Sequence, residues 1–205
     1  MPHFYSVMEV DTKELERVRQ QLIPFIEEKV GVRLTITDLL IKIVARALED
    51  HPMVNSSFIG DSIKLSRRID IGLATSVEEG LIVPVIRRAN KLTLTEIAKT
   101  RAELVTRTRE RKVLPDEITG STFTITNIGM FDVSQGGAII NPPEAAILTV
   151  ASIIEKPVAM DGEIVIRPMM NLTLSVDHRV LDGVAGARFL QRVKELVENP
   201  ASMLL

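Results

Sequence analysis

The apolar residues of this chain change their spacing partway along it, and that change limits the folds open to it. In the first half they recur every three to four residues, the period of a helix with one buried face. Leu15, Val18, Leu22 and Ile26 form one such stripe, which Asp11 or Thr12 can cap and Gly31 breaks. A second helix is expected from about Thr37 to Glu49, before His51-Pro52. A third opens on the capping box Thr93-Leu94-Thr95-Glu96 and runs to about Lys112, with Leu94, Ile97, Arg101, Leu104 and Val105 on one side. From residue 121 the period drops to two. STFTITNI, AAILTVASII, VAMDGEIVI and MNLTLSVDH read as strands, with Asp161-Gly162 as a hairpin turn, and a last helix follows Gly183 to about Asn199-Pro200. Earlier hairpins are expected at Gly60-Asp61 and Glu79-Gly80, after a first strand at residues 3 to 10. With no linker, repeat or compositional break, the pattern predicts one α+β domain.

Bulk chemistry narrows the function. Twenty-five basic residues against 27 acidic ones give a net charge of -2 over 205 residues, so no general attraction to nucleic acid or an anionic membrane is expected. No cysteine is present, which excludes disulfides, thiolate nucleophiles and thiolate metal sites. His3, His51 and His178 are scattered, so no metal site is expected, and His3 and His51 read as structural or exposed. The start, MPHFYSVMEVD, lacks the pattern of a secretory leader. The most apolar stretch, LTITDLLIKIVARAL, carries Asp38, Lys42 and Arg46 one helical turn apart, which suits an amphipathic helix rather than a membrane span.

His178 poses the functional question. In NLTLSVDHRV, Leu172, Leu174 and Val176 share one strand face while Thr173, Ser175 and Asp177 share the other, and alternation puts His178 on the apolar, buried side. Gly183 argues for a strand-to-helix turn carrying His178 and Asp182. Imidazole is the usual side chain for taking a proton near neutral pH. A single histidine at a strand end is more often a hydrogen-bonded structural residue than a catalyst. No Walker loop, GxGxxG, HExxH or GxSxG motif points to other chemistry.

Residues 177 to 183, DHRVLDG, resemble the DHRxxDG motif of the catalytic domain of dihydrolipoamide acyltransferases, the cores of 2-oxoacid dehydrogenase complexes. PHF at 2 to 4, LTITDLLIKIVARAL at 34 to 48, IGLATSVEEGLIVPVI at 71 to 86, STFTITNIGMF at 121 to 131 and INPPEAAIL at 140 to 148 carry the resemblance over nearly the whole chain. It implies one acyltransferase catalytic domain over 1–205 with a chloramphenicol acetyltransferase-like mixed sheet flanked by helices. It also implies acyl transfer between a dihydrolipoyl thiol and coenzyme A. In such a mechanism His178 is the base, held through its other ring nitrogen by its own carbonyl. Thr126 donates a hydrogen bond to the tetrahedral oxyanion, and Asp182 holds the turn. Matching coenzyme A contacts are Arg19, Thr35, Ser76 and Asn127. Ser76 stands where the family usually has aspartate, and Ala151 where glycine is common, so the detailed pocket is expected to differ.

The resemblance further implies homotrimers with active sites between subunits, His178 of one chain meeting Thr126 of the next, and trimers joined into hollow cages. Other partners would be a lipoyl domain absent from this chain, a 2-oxoacid decarboxylase and dihydrolipoamide dehydrogenase, in the cytoplasm or the mitochondrial matrix. The chain is expected to be the catalytic core without its lipoyl and peripheral-subunit-binding domains. The tail NPASMLL is apolar, and insertion into a neighbouring subunit competes with docking on its own domain. The basic run Arg101, Arg107, Arg109, Arg111 and Lys112 reads as a solvated helix end. Three functions stay open: an acyltransferase core, a cage subunit that keeps the fold without the chemistry, and a free-standing trimeric acetyltransferase. GMF and AIINPP lean to acetyl transfer, and NPASMLL to a branched-chain acyl group.

Overall fold

The computed structural model describes residues 1–204. Strand β1 (His3–Asp11) leads into α1 (Lys13–Val30), where the Asp11 carboxylate accepts from the Lys13 amide at 2.9 Å while the Thr12 hydroxyl turns away to Pro168. Gly31 ends α1 at φ 68°, a left-handed conformation that costs glycine little. Helix α2 (Ile36–Asp50) follows at once, capped by a reciprocal box between Thr35 and Asp38. It is the most buried helix, and each fully buried Leu or Ile there contributes about 1.5–3 kcal/mol.

A separate hairpin, β2 (Ser56–Ile59) with β3 (Ser62–Leu65), precedes β4 (Ile71–Val77), β5 (Gly80–Ile82) and β6 (Val85–Ile86). Helix α3 spans Leu94–Arg109 behind the expected Thr93–Glu96 box, and stops three residues earlier than its sequence pattern predicts. Then come β7 (Phe123–Asn127), β8 (Ala146–Met160), β9 (Glu163–Asp177) and α4 (Gly183–Glu198). The strand runs expected singly between 144 and 177 fuse into two strands of 15 residues, folded back at Asp161-Gly162.

The main sheet has the order β1-β9-β8-β7-β4-β5, with β6 also on β4. It is mixed: β4, β7 and β8 run parallel, while β9 lies antiparallel to both β8 and β1. One face packs on the helices, joining Leu172, Leu174 and Val176 to Leu39, Leu40 and Ile43 of α2 and to Phe189 and Val193 of α4. The other face is crossed by residues 128–144, tied down by Ser152 to Gly129 and Val133 and by Asn171 to Ser134.

That second cover changes the reading of β9. Thr173, Ser175 and Asp177 are as buried as Leu172, Leu174 and Val176, so alternation does not separate inside from outside here. Nor does His178 continue the buried side as expected. The strand ends at Asp177, and His178 lies exposed in the turn beyond it.

Asp38 and Lys42 are also further inside than a solvated stripe. Asp38 is fully buried against Arg101, and the Lys42 ammonium donates to the carbonyls of Asn90 and Leu92. Burial holds the Lys42 pKa below its ordinary value, against the pull of Glu49. After α4 the tail coils back over Pro200–Leu204, with Met203 packed on the core of its own chain. Leu205 and the side chain of Leu204, part of the expected interface segment, lie outside the described residues.

Candidate active site

The turn after β9 is built from its own seven residues. The Asp177 carboxylate is buried and accepts from the Arg179 backbone at 3.0 Å and from its guanidinium at 2.7 to 3.2 Å. Burial works to raise the Asp177 pKa, but the Arg179 hydrogen bonds overcome it and hold the carboxyl below its ordinary value. Arg179 in turn lies over the Phe58 ring, 4.2 Å from its centroid, so the hairpin β2-β3 braces the turn. Between these two residues His178 is pushed outward. Its amide donates to Pro2 at 2.9 Å and its ring packs on Phe4, 4.8 Å between centroids. Among the described residues its imidazole makes no hydrogen bond to another residue. Asp182 caps α4, its carboxylate accepting from the Ala185 amide at 2.8 Å.

Thr126 belongs to a different place, a cleft of about 310 Å³ at the carboxyl end of β7. Thr35, Ser76, Thr126 and Asn127, four of the residues expected to bind or react, line this cleft together. Leu73, Leu81, Val105 and Ile128 supply apolar walls, and Met130 and Phe131 stand exposed at 72% and 65%. Two arginines, Arg101 and Arg109, line it, and no Asp or Glu does among the described residues. A cleft of this kind suits a ligand with an anionic group.

Some side chains are already engaged. The Thr35 hydroxyl donates to Asp38 at 2.7 Å and accepts from its amide, so it serves as the cap of α2. Asn127 donates to Thr37 at 3.0 Å and accepts from Gly129 at 2.8 Å, tying the strand end to α2 and to the loop that follows. Arg19 donates from Nε to the Leu34 carbonyl at 3.1 Å and is not among the lining residues. Ser76 is exposed on β4, while Ala151 is buried in the irregular stretch of β8, its carbonyl against Gly129.

Thr37, Arg101 and Arg109 were not expected as site residues. Arg101 is a correction: it is 16% exposed and bonded to buried Asp38 rather than solvated. Arg107, Arg111 and Lys112 are ion-paired to Glu117, Glu79 and Glu110. A signal for Arg109 did exist, because Arg101, Val105 and Arg109 recur every four residues and form one stripe of α3.

The two halves do not meet within one chain. Thr126 pairs with Thr149 and Thr149 with Thr173, and Asp177 lies further along β9. With about 3.3 Å per residue and about 4.8 Å per strand, the backbones of Thr126 and Asp177 stand roughly 16 Å apart. No side-chain contact can bridge that gap. Among the described residues no cluster of His, Cys, Asp and Glu could hold a metal, and no helix is long and apolar enough to cross a membrane.

The family model described as 2-oxoacid dehydrogenases acyltransferase (catalytic domain) matches residues 1–205. The lipoamide acyltransferase component of the Bacillus subtilis branched-chain alpha-keto acid dehydrogenase complex is 42% identical, over 97% of this chain and 47% of that protein. The Rickettsia felis dihydrolipoyllysine-residue acetyltransferase component of the pyruvate dehydrogenase complex is 35% identical, over 100% and 50%. The chain thus spans about half the length of the curated relatives it matches. One similar solved structure is from an Azotobacter vinelandii dihydrolipoamide acetyltransferase, studied for one serine, one histidine and one asparagine in its catalytic mechanism. It is 36% identical at a TM-score of 0.95, covering 100% of this chain and 84% of that one, and a structure of the cubic core of the pyruvate dehydrogenase multienzyme complex gives the same figures. A chloramphenicol acetyltransferase, 14% identical at a TM-score of 0.62 over 96% and 88%, shares the fold. Matched from its first residue to its last, this chain belongs to the 2-oxoacid dehydrogenase acyltransferase catalytic-domain family.

Proposed function

We propose that this chain transfers an acyl group between the thiol of a dihydrolipoyl group and that of coenzyme A, within a homotrimer whose active sites lie between subunits. The carrying observation is the division just described: an exposed imidazole at one end of the sheet and a hydroxyl-lined, arginine-flanked cleft at the other. A neighbouring copy supplies the missing half to each. The serine, histidine and asparagine studied in the Azotobacter enzyme stand at the same two intervals along its chain as Thr126, His178 and Asp182 do here, which supports these roles.

In this mechanism His178 takes the proton of the attacking thiol, which is mostly protonated near neutrality. The thiolate attacks the thioester carbonyl, and the Thr126 hydroxyl of the next subunit donates to the resulting oxyanion. Collapse expels the other sulfur, which takes the proton back from the imidazolium. Arg109, with Arg19, attracts the phosphates of coenzyme A. Thr35 and Asn127 act by fixing the cleft wall, and Ser76 borders the ligand where the family carries an aspartate. The lipoyl group arrives on a separate domain, and the trimers assemble into a cage that gathers a 2-oxoacid decarboxylase and dihydrolipoamide dehydrogenase. Cytoplasm or mitochondrial matrix is the matching location.

Turnover of acetyl-, isobutyryl- and succinyl-coenzyme A with dihydrolipoamide tests the reading and identifies the acyl group. Acetyl or isobutyryl transfer is expected. Failure with all three would refute it.

A further inference from the structure

Glu144 sits in INPPEAAIL, 1% exposed, just before β8 and beside Ser121 at the amino end of β7, the strand that carries Thr126. Its Oε1 accepts from the Ser121 hydroxyl and, at 3.0 Å, from the Asn141 amide. Its Oε2 is buried with no hydrogen-bond partner among the described residues. A second orphan lies in the same network. The Thr124 hydroxyl neighbours the Glu144 carboxyl, and its Oγ1 is likewise buried and without a hydrogen-bond partner. Thr124 lies close to Gly72 of β4, where an added Cβ would come within 2.9 Å of its hydroxyl.

The groups facing the carboxyl are the hydroxyls of Ser121 and Thr124 and the amide of Asn141, none of them charged. An ionised carboxylate would sit here out of water with only neutral donors in reach and no cation beside it, the costly way to bury a carboxyl group. A protonated one offers one acceptor oxygen and one donor oxygen. Oε1 already accepts from two donors, which leaves Oε2 as the oxygen free to carry the proton. Burial pushes the Glu144 carboxyl up, and its three polar neighbours pull it back only in part.

We propose that Glu144 is protonated in the folded chain and donates from Oε2 to Thr124 Oγ1, as a positioning residue for Thr126 two places further along β7. The positioning part rests on the acyl-transfer reading of Thr126, and the protonation part does not. A neutral donor–acceptor group is what glutamine also provides, so Glu144→Gln preserves the bond without a titratable proton.

The folded chain then keeps a proton that the unfolded chain releases at the ordinary glutamate pKa. Stability from this group is complete below that value and is lost as pH rises toward the folded pKa. From about pH 4.3 upward the folding equilibrium constant of the wild type should fall about tenfold per pH unit relative to E144Q, until Glu144 ionises. A difference infrared spectrum, wild type minus E144Q at neutral pH, should contain the carbonyl stretch of an un-ionised carboxylic acid. Glu144→Leu, which removes donor and acceptor, should lower kcat roughly tenfold with little change in KM for coenzyme A, and E144Q should recover it. Equal pH slopes for wild type and E144Q, with only carboxylate bands in the difference spectrum, would overturn the proposal. An inactive wild type that still shows the acid band would sink the acyl-transfer reading and the positioning role, leaving the proton in place.

Discussion

His178 reaches the surface on a turn of consecutive residues, whereas Thr126 reaches its cleft among side chains drawn from α2, β4, α3 and the loop after β7. The first half carries a largely local scaffold, because Asp177 and Arg179 bond each other within the turn and Asp182 caps the helix that follows it. The second half has none of its own. Its hydroxyl is placed by strand pairing, its wall by Asn127 on Thr37 and its charge by a stripe of α3. Substitution of His178 should therefore act on chemistry alone, and substitutions in the cleft should divide among chemistry, ligand binding and stability.

The largest effect tests the self-contained half. His178→Ala should lower kcat by about 10³ to 10⁴ while the melting temperature and trimer mass stay as in the wild type. A smaller loss would mean that another group takes the proton. Thr126→Ala should lower kcat by about 10² through the lost oxyanion donor, with Thr126→Ser recovering most of it. Equal losses in Thr126→Ala and Thr126→Ser would assign the residue to strand packing. Arg109→Ala should raise KM for coenzyme A roughly tenfold, leave kcat intact and flatten the salt dependence of KM. The smallest effect separates scaffold from binding: Thr35→Ala should cost about 1 kcal/mol in unfolding, as should Thr93→Ala at the equivalent cap of α3, and neither should move KM. A KM effect in Thr35→Ala alone would give its hydroxyl to the ligand.

The same contrast governs what could be read from the sequence. Each helix start, the hairpin turns and the β-rich second half were legible because caps, glycines and apolar periods act over a few residues. The DHRVLDG turn was legible for the same reason. The exposure of His178 was not, since the alternation of β9 predicts inside and outside only when one face meets solvent, and residues 128–144 cover the second face. Nor was the engagement of Thr35 and Asn127, each of which lines the cleft while its polar atoms hold the fold. Arg101 read as a surface charge because its partner Asp38 lies far away along the chain.

The central claim is that an active site takes His178 from one chain and Thr126 from another. Co-expressing His178→Ala and Thr126→Ala chains in equal amounts tests it directly, because every mixed trimer contains one interface with both residues intact. Statistical mixing then predicts roughly a quarter of wild-type activity, far above either parent. Activity no higher than the mean of the two parents, in trimers shown by mass to be mixed, would place both residues in sites within a single chain and contradict the account.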